Sequence, residues 1–168
     1  TANFEFYGGD ILWAGPSDLD QGMYAIDTSK KITRKAVEVG GARLIPAGGV
    51  MFSCIGNIGK IAIAQEDMAT NQQINTFVPK KGTLDSKYLY YALIFKTPEF
   101  LAKTSQTTLP IINKSRCAEI KIPLPPLAEQ KRIVERIEKQ FAKIDGAIRL
   151  REQSIAASSR SGFSRFPD

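Results

Sequence analysis

The chain contains no histidine, and that absence removes every mechanism built on an imidazole base or ligand, including serine and cysteine triads, histidine–metal nucleases and most zinc hydrolases. Cysteine is scarce. Cys54 and Cys117 are the only two in 168 residues, too few for a structural zinc site alone and unlike the dense even set of a small secreted scaffold. They favour a reduced, cytoplasmic protein. No apolar run approaches the ~20 residues of a membrane span, and the acidic, aromatic opening stretch does not read as a signal peptide. Nothing in the chain calls for a metal or another cofactor.

What is present is ordinary globular material, 43% hydrophobic and 24% charged, with a net charge of +6. The positive excess lies past the first quarter: residues 1–40 are slightly acidic, whereas residues 41–122 carry ten basic against five acidic groups. A polyanion partner fits such a balance, because each phosphate neutralised releases condensed counterions. A mildly basic soluble protein fits it as well.

The chain divides at Pro123-Leu124-Pro125-Pro126. Before this hinge, short apolar runs broken by glycine and proline predict strands at Ile11 to Ala14, Arg43 to Pro46, Gly49 to Cys54, Lys60 to Ala64 and Gln73 to Val78. A helix is expected from Asp85 or Ser86, and a second from Thr97 as N-cap with Pro98 at its first position. A last strand is expected over Ile120 to Leu124. Short strands and helices without a βαβ rhythm predict an α+β domain over residues 1–122. After the hinge, Leu127, Val134, Phe141, Ile148 and Ile155 recur every seven residues, with Ile137 and Ile144 between them. This spacing predicts a helix over 126–156, roughly 40 Å long at 1.5 Å per residue. Its apolar stripe is suited to pairing with another copy or another protein; folding back on its own domain is the alternative. Gln130 and Arg151 interrupt the seam. The remaining residues, 157–168, have no periodicity and read as an unstructured tail.

Catalytic patterns are weak. Gly56-Asn57-Ile58-Gly59-Lys60 lacks the spacing and the hydroxyl of a phosphate-binding loop, so it reads as a tight turn. Asp85-Ser86-Lys87 and Glu119-Ile120-Lys121 match only the second half of a nuclease pattern, of a kind that arises by chance. Polar residues are more suggestive of a binding surface. Ser53 and Asn57 flank the glycine turn, and Asn71, Gln72 and Gln73 form an amide-rich run. Amides and hydroxyls can read base edges, while Lys30, Lys31, Arg34, Lys35, Arg43, Lys60, Lys114 and Arg116 could hold a phosphate backbone. The plainer reading of amides beside a turn is that they cap backbone groups.

The stretch Ile120-Lys-Ile-Pro-Leu-Pro-Pro-Leu-Ala-Glu-Gln-Lys-Arg-Ile133 closely resembles the strand-to-helix junction of the specificity subunits of type I restriction–modification systems. Tyr7 to Trp13, Pro16 to Asp18, Leu44 to Gly48, Ile58 to Ile63, Thr70 to Gln72 and Asp85 to Tyr91 resemble successive parts of that family's target-recognition domain. The resemblance implies a domain that reads half of a split duplex DNA sequence. It also implies a spacer helix that docks methyltransferase subunits and, through them, the restriction subunit, with no chemistry in the subunit itself. One recognition domain instead of two corresponds to half a subunit, and Ser158 to Asp168 departs from the family's helix, as a frame change or cloning scar would. A symmetric homodimer through the helix would restore the two-domain layout and read an interrupted palindrome. The rival expectations are a small nuclease working alone and an interaction protein that uses only its helix.

Overall fold

Every residue of Val50–Ser53 and Ile61–Ala64 is buried, which explains why these strands are apolar except at Ser53 instead of alternating with polar positions. Their two faces serve different layers. Met51, Ala62 and Ala64 point into a core shared with a second sheet, whereas Val50, Phe52, Ile61 and Ile63 meet helical residues Leu89 and Leu93.

The computed structural model describes residues 4–102 and 111–162. In chain order its elements are β1 (Tyr7–Ala14), β2 (Tyr24–Ala25), β3 (Lys31–Ile32), α1 (Arg34–Glu38), β4 (Leu44–Ile45), β5 (Val50–Ser53), β6 (Ile61–Ala64), β7 (Met68–Thr70), β8 (Ile74–Phe77), α2 (Ser86–Ala102), α3 (Lys114–Ala118) and α4 (Leu127–Gly162). The fold is α+β. One sheet has the order β3-β1-β7-β4 and the other β2-β6-β5-β8. Each is mostly antiparallel with one parallel pair, β1 with β7 and β2 with β6. Leu12, Ala14, Ile45 and Met68 from the first sheet close on Met51, Ala62, Ala64 and Ile74 from the second. Outside this sandwich, α1 covers the first sheet through Ala36 against Ile32 and Ala69. On the far side α2 and α3 cover the second, through Leu89, Leu93 and Cys117. Alternation along β1 sends Leu12 and Ala14 inward, and Ile11 and Trp13 to the α1 side. Gly9 marks the tightest backbone approach: a Cβ there would lie 2.4 Å from the Ile32 carbonyl oxygen, where the β1–β3 register slips.

Three expectations need correction. No second helix starts at Thr97; α2 runs unbroken from Ser86 to Ala102 with Pro98 inside it. Proline removes the N–H that would reach the Ile94 carbonyl; one residue earlier the Thr97 hydroxyl donates to the Leu93 carbonyl at 2.9 Å, and the Thr97 methyl sits against Gly59. Ile120 to Leu124 is not a strand. It is a connector without regular structure, held by Ile120 and Ile122 against the core and by the Tyr88 hydroxyl donating to the Pro123 carbonyl at 3.0 Å. Finally, α4 continues to Gly162, through part of the segment read as an unstructured tail; residues 163–168 lie outside the described residues.

The chain separates into two compact units, Thr1–Gln130 and Lys131–Asp168, with the division later than the proline hinge. Gln130, one of the interruptions of the heptad seam, accounts for this. Its side chain is fully buried. Its Oε1 accepts from the Asp85 N–H at 2.8 Å, and its Nε2 donates to the carbonyls of Thr83 at 2.9 Å and Pro125 at 2.8 Å. The first turn of α4 is thereby part of the globular unit.

Candidate nucleic-acid interface

The outer side of the first sheet gathers residues far apart in sequence. A cavity of about 410 Å³ is lined by Tyr7 and Trp13 of β1, Ile32 and Ala36, the Gly40 to Arg43 loop, and Thr70, Asn71 and Gln72 at the end of β7. Tyr7 and Trp13 meet edge to face, ring centroids 5.7 Å apart, and the Lys30 ammonium stands 5.9 Å from the Trp13 ring centre, within cation–π range. Lys30, Arg34 and Arg43 are exposed and form no ion pair among the described residues. Lys31 pairs with Asp27 at 3.6 Å, and Lys35 pairs with Glu5. Lys30 and Arg43 are therefore uncompensated cations at an aromatic-walled groove, and Arg34 is exposed at the start of α1.

Within the amide run, the structure separates roles that look equivalent in sequence. Asn71 Oδ1 accepts from the Gln73 N–H at 2.9 Å, and its Nδ2 donates to Gln73 Oε1 at 3.1 Å. Both amides thus hold the loop between β7 and β8. Gln72 is exposed and has no such side-chain bond among the described residues, so its donor and acceptor face outward together.

The other candidates lie elsewhere in the same unit. Ser53 must be withdrawn as a surface contact. It is fully buried, and its hydroxyl donates to the Asn57 carbonyl and accepts from the Lys60 N–H at 2.9 Å, which fixes the glycine turn. Asn57 is exposed on that turn, and the Lys60 ammonium is paired with Asp20. Lys114 and Arg116 are exposed on α3, whose N-cap Asn113 accepts from the Arg116 N–H at 2.9 Å. The segment leading to α3 joins the end of β5, where the Ile112 N–H donates to the Cys54 carbonyl at 2.8 Å. The sequence candidates therefore form two groups, one around the Tyr7–Trp13 groove and one at the β5–β6 turn and α3.

Several residues of the recognised motifs are structural ties. Asp18 is buried and accepts from the N–H groups of Gly15 at 2.8 Å and Ser29 at 2.9 Å. Asp85, the carboxylate of the half-matched nuclease pattern, accepts from the Lys87 and Tyr88 N–H groups at the start of α2. Glu119 is the C-cap of α3. Among the described residues no three His, Cys, Asp or Glu side chains converge as metal ligands, and no helix is long and apolar enough to cross a membrane. Sequence reading missed Tyr7 and Trp13. Their only signal was two large aromatics on one glycine-rich strand, and it needed the register of β1 to place them on the outer face.

Along α4, Leu127 and Ile137 are half-buried and Val134 is buried. Phe141, Ile144, Ile148 and Ile155 are each more than half exposed.

A family model described as the type I restriction modification DNA specificity domain matches residues 2–153. The specificity subunit of the type I restriction enzyme MjaIX from Methanocaldococcus jannaschii is 37% identical over 133 residues, covering 77% of this chain and 31% of that protein. Among solved structures, a chain from a study of assembly and conformational transition in the type I R-M system superposes with a TM-score of 0.72 at 22% identity, covering 95% of this chain and 39% of its own. The HsdS subunit from Thermoanaerobacter tengcongensis gives 0.63 at 23% identity, covering 88% and 35%. The chain spans about a third of the length of each of these three.

Proposed function

Because this chain belongs to the type I restriction–modification DNA specificity domain family, we propose that it reads a short duplex DNA sequence and directs the chemistry of partner subunits without catalysing a reaction itself. The observation that carries this reading is the pair of unpaired cations Lys30 and Arg43 at the Tyr7–Trp13 groove, with the exposed Gln72 amide lining it and Arg34 exposed at the start of α1. Cations of this kind position a phosphate backbone, and an outward amide discriminates base edges. Asn57, Lys114 and Arg116 supply further contacts from the second group. In this reading the protein works in the cytoplasm.

The exposed apolar stripe of α4 is the second element of the proposal. Ile144 and Ile148 hold coiled-coil spacing, and we infer that α4 pairs antiparallel with the same helix of a second copy and offers the remaining surface to methyltransferase subunits, which recruit the restriction subunit. Two reading faces related by a two-fold axis bind two identical half-sites.

Mapping of methylated positions in DNA after co-expression with a type I methyltransferase subunit tests the proposal. Methylation confined to one interrupted, two-fold sequence is the expected result. Methylation that is indifferent to the presence of this chain, or unchanged when Gln72 and Arg43 are replaced by alanine, would overturn it.

A further inference from the structure

Two thiols that DNA reading does not use lie side by side in the core. Cys54 follows β5 and Cys117 sits on α3, with their sulfur atoms 3.9 Å apart. Both side chains are free thiols and buried. Their surroundings are unequal. The Asn75 side-chain amide donates to Cys117 Sγ at 3.2 Å, and an amide N–H there favours a sulfur that carries negative charge. Cys54 Sγ lies 3.2 Å from the Phe52 carbonyl oxygen, a partner that requires Cys54 to keep its proton. The contact with the Cys54 sulfur, together with the hydrogen bond from Asn75, holds the Cys117 thiol below its ordinary range against the opposing effect of burial. The same contact and burial push Cys54 up. Cys117 also lines a cavity of about 280 Å³ together with Phe77, Leu84, Leu89 and Ile122. That cavity gives a small uncharged molecule a place beside the sulfur.

We propose that Cys54 and Cys117 form a peroxide-sensitive dithiol, a covalent modification site that closes into a disulfide tying α3 to the end of β5. Cys117, as thiolate, attacks one oxygen of hydrogen peroxide. The O–O bond breaks, Cys117 becomes a sulfenic acid, and hydroxide leaves. The Cys54 proton goes to that hydroxide, and Cys54 sulfur displaces the hydroxyl group from Cys117 as a second hydroxide, which takes up the proton released when Cys117 ionised. In sum, two thiols and one hydrogen peroxide give one disulfide and two waters. The sulfur atoms must approach from 3.9 Å to about 2.05 Å. The bond would close a long loop and restrain α3, which carries Lys114 and Arg116.

The test is peroxide treatment of the folded chain, followed by denaturation, alkylation and peptide mapping. The expected product is about 2 Da lighter, resists alkylation at both positions and yields a Cys54–Cys117 cross-linked peptide. Its midpoint of thermal unfolding should rise by on the order of 5–15 °C. In Cys54→Ser, Cys117 should be trapped by dimedone as the sulfenic acid; in Cys117→Ser, Cys54 should remain an alkylatable thiol. Oxygen addition to both sulfurs without a cross-link, cross-links only between chains, or a wild-type chain inert to peroxide would each overturn the proposal, and the wild-type arm decides even where a serine variant fails to fold.

Discussion

The globular unit and the helix that leaves it follow opposite rules for apolar residues. In the former, large side chains such as Met51, Phe52 and Leu93 are almost completely buried. Along α4, Phe141, Ile144, Ile148 and Ile155 keep more than half their surface in water. A soluble monomer rarely leaves a regular apolar stripe uncovered without a partner for it. The heptad repeat runs through both regimes without a change of period, so periodicity alone does not reveal where one ends. A single polar residue does: Gln130 is fully buried because three backbone groups of the globular unit bond to its amide.

The contrast yields graded outcomes. Phe52→Ala removes a ring from the α2-facing core and should cost about 3–5 kcal/mol, measured as a loss of denaturant midpoint; a cost near 1 kcal/mol would mean that layer is not the core. Gln130→Ala leaves the Asp85 N–H and the Thr83 and Pro125 carbonyls without their partner and should cost about 3 kcal/mol. For a chain of this size that lowers the unfolding temperature by about 6–12 °C, while circular dichroism should show α4 still helical. On the other side of the contrast, Ile144→Lys with Ile148→Lys should change stability by no more than about 0.5 kcal/mol per site yet convert a sedimenting dimer to a monomer. A wild-type chain that stays monomeric at high concentration would remove the pairing half of the account. The smallest effect is expected for Arg43→Ala, which should reduce the salt slope of DNA binding by about one without altering stability.

Much of the second sheet was legible because β5 and β6 are continuous apolar runs bracketed by glycine turns. Their burial on both faces leaves no alternation to set register, which is set instead by pairing of β5 with β6 and β8. In the first sheet β1 and β4 were legible at Ile11 to Ala14 and Arg43 to Pro46, whereas β3 and β7, two and three residues long, were not, because their pairing is decided by distant chain. Ile120 to Leu124 carries strand-like residues, yet three prolines around it remove the N–H groups a ladder needs. At the candidate interface, the basic residues and the amide run were readable as types. Which amide faces outward was not: Asn71 and Gln73 differ from Gln72 only through bonds made inside the loop. Tyr7 and Trp13 joined the site through strand register, and Ser53 left it through burial, neither of which local sequence states.

The most direct test of the central claim is duplex binding by fluorescence anisotropy as salt is raised, comparing the wild-type chain with a triple variant carrying Lys30→Ala, Arg34→Ala and Arg43→Ala. The account predicts that wild-type affinity falls log-linearly with salt and that the triple variant binds more weakly, with a slope shallower by about three. Equal affinities and equal slopes for the two proteins would contradict it.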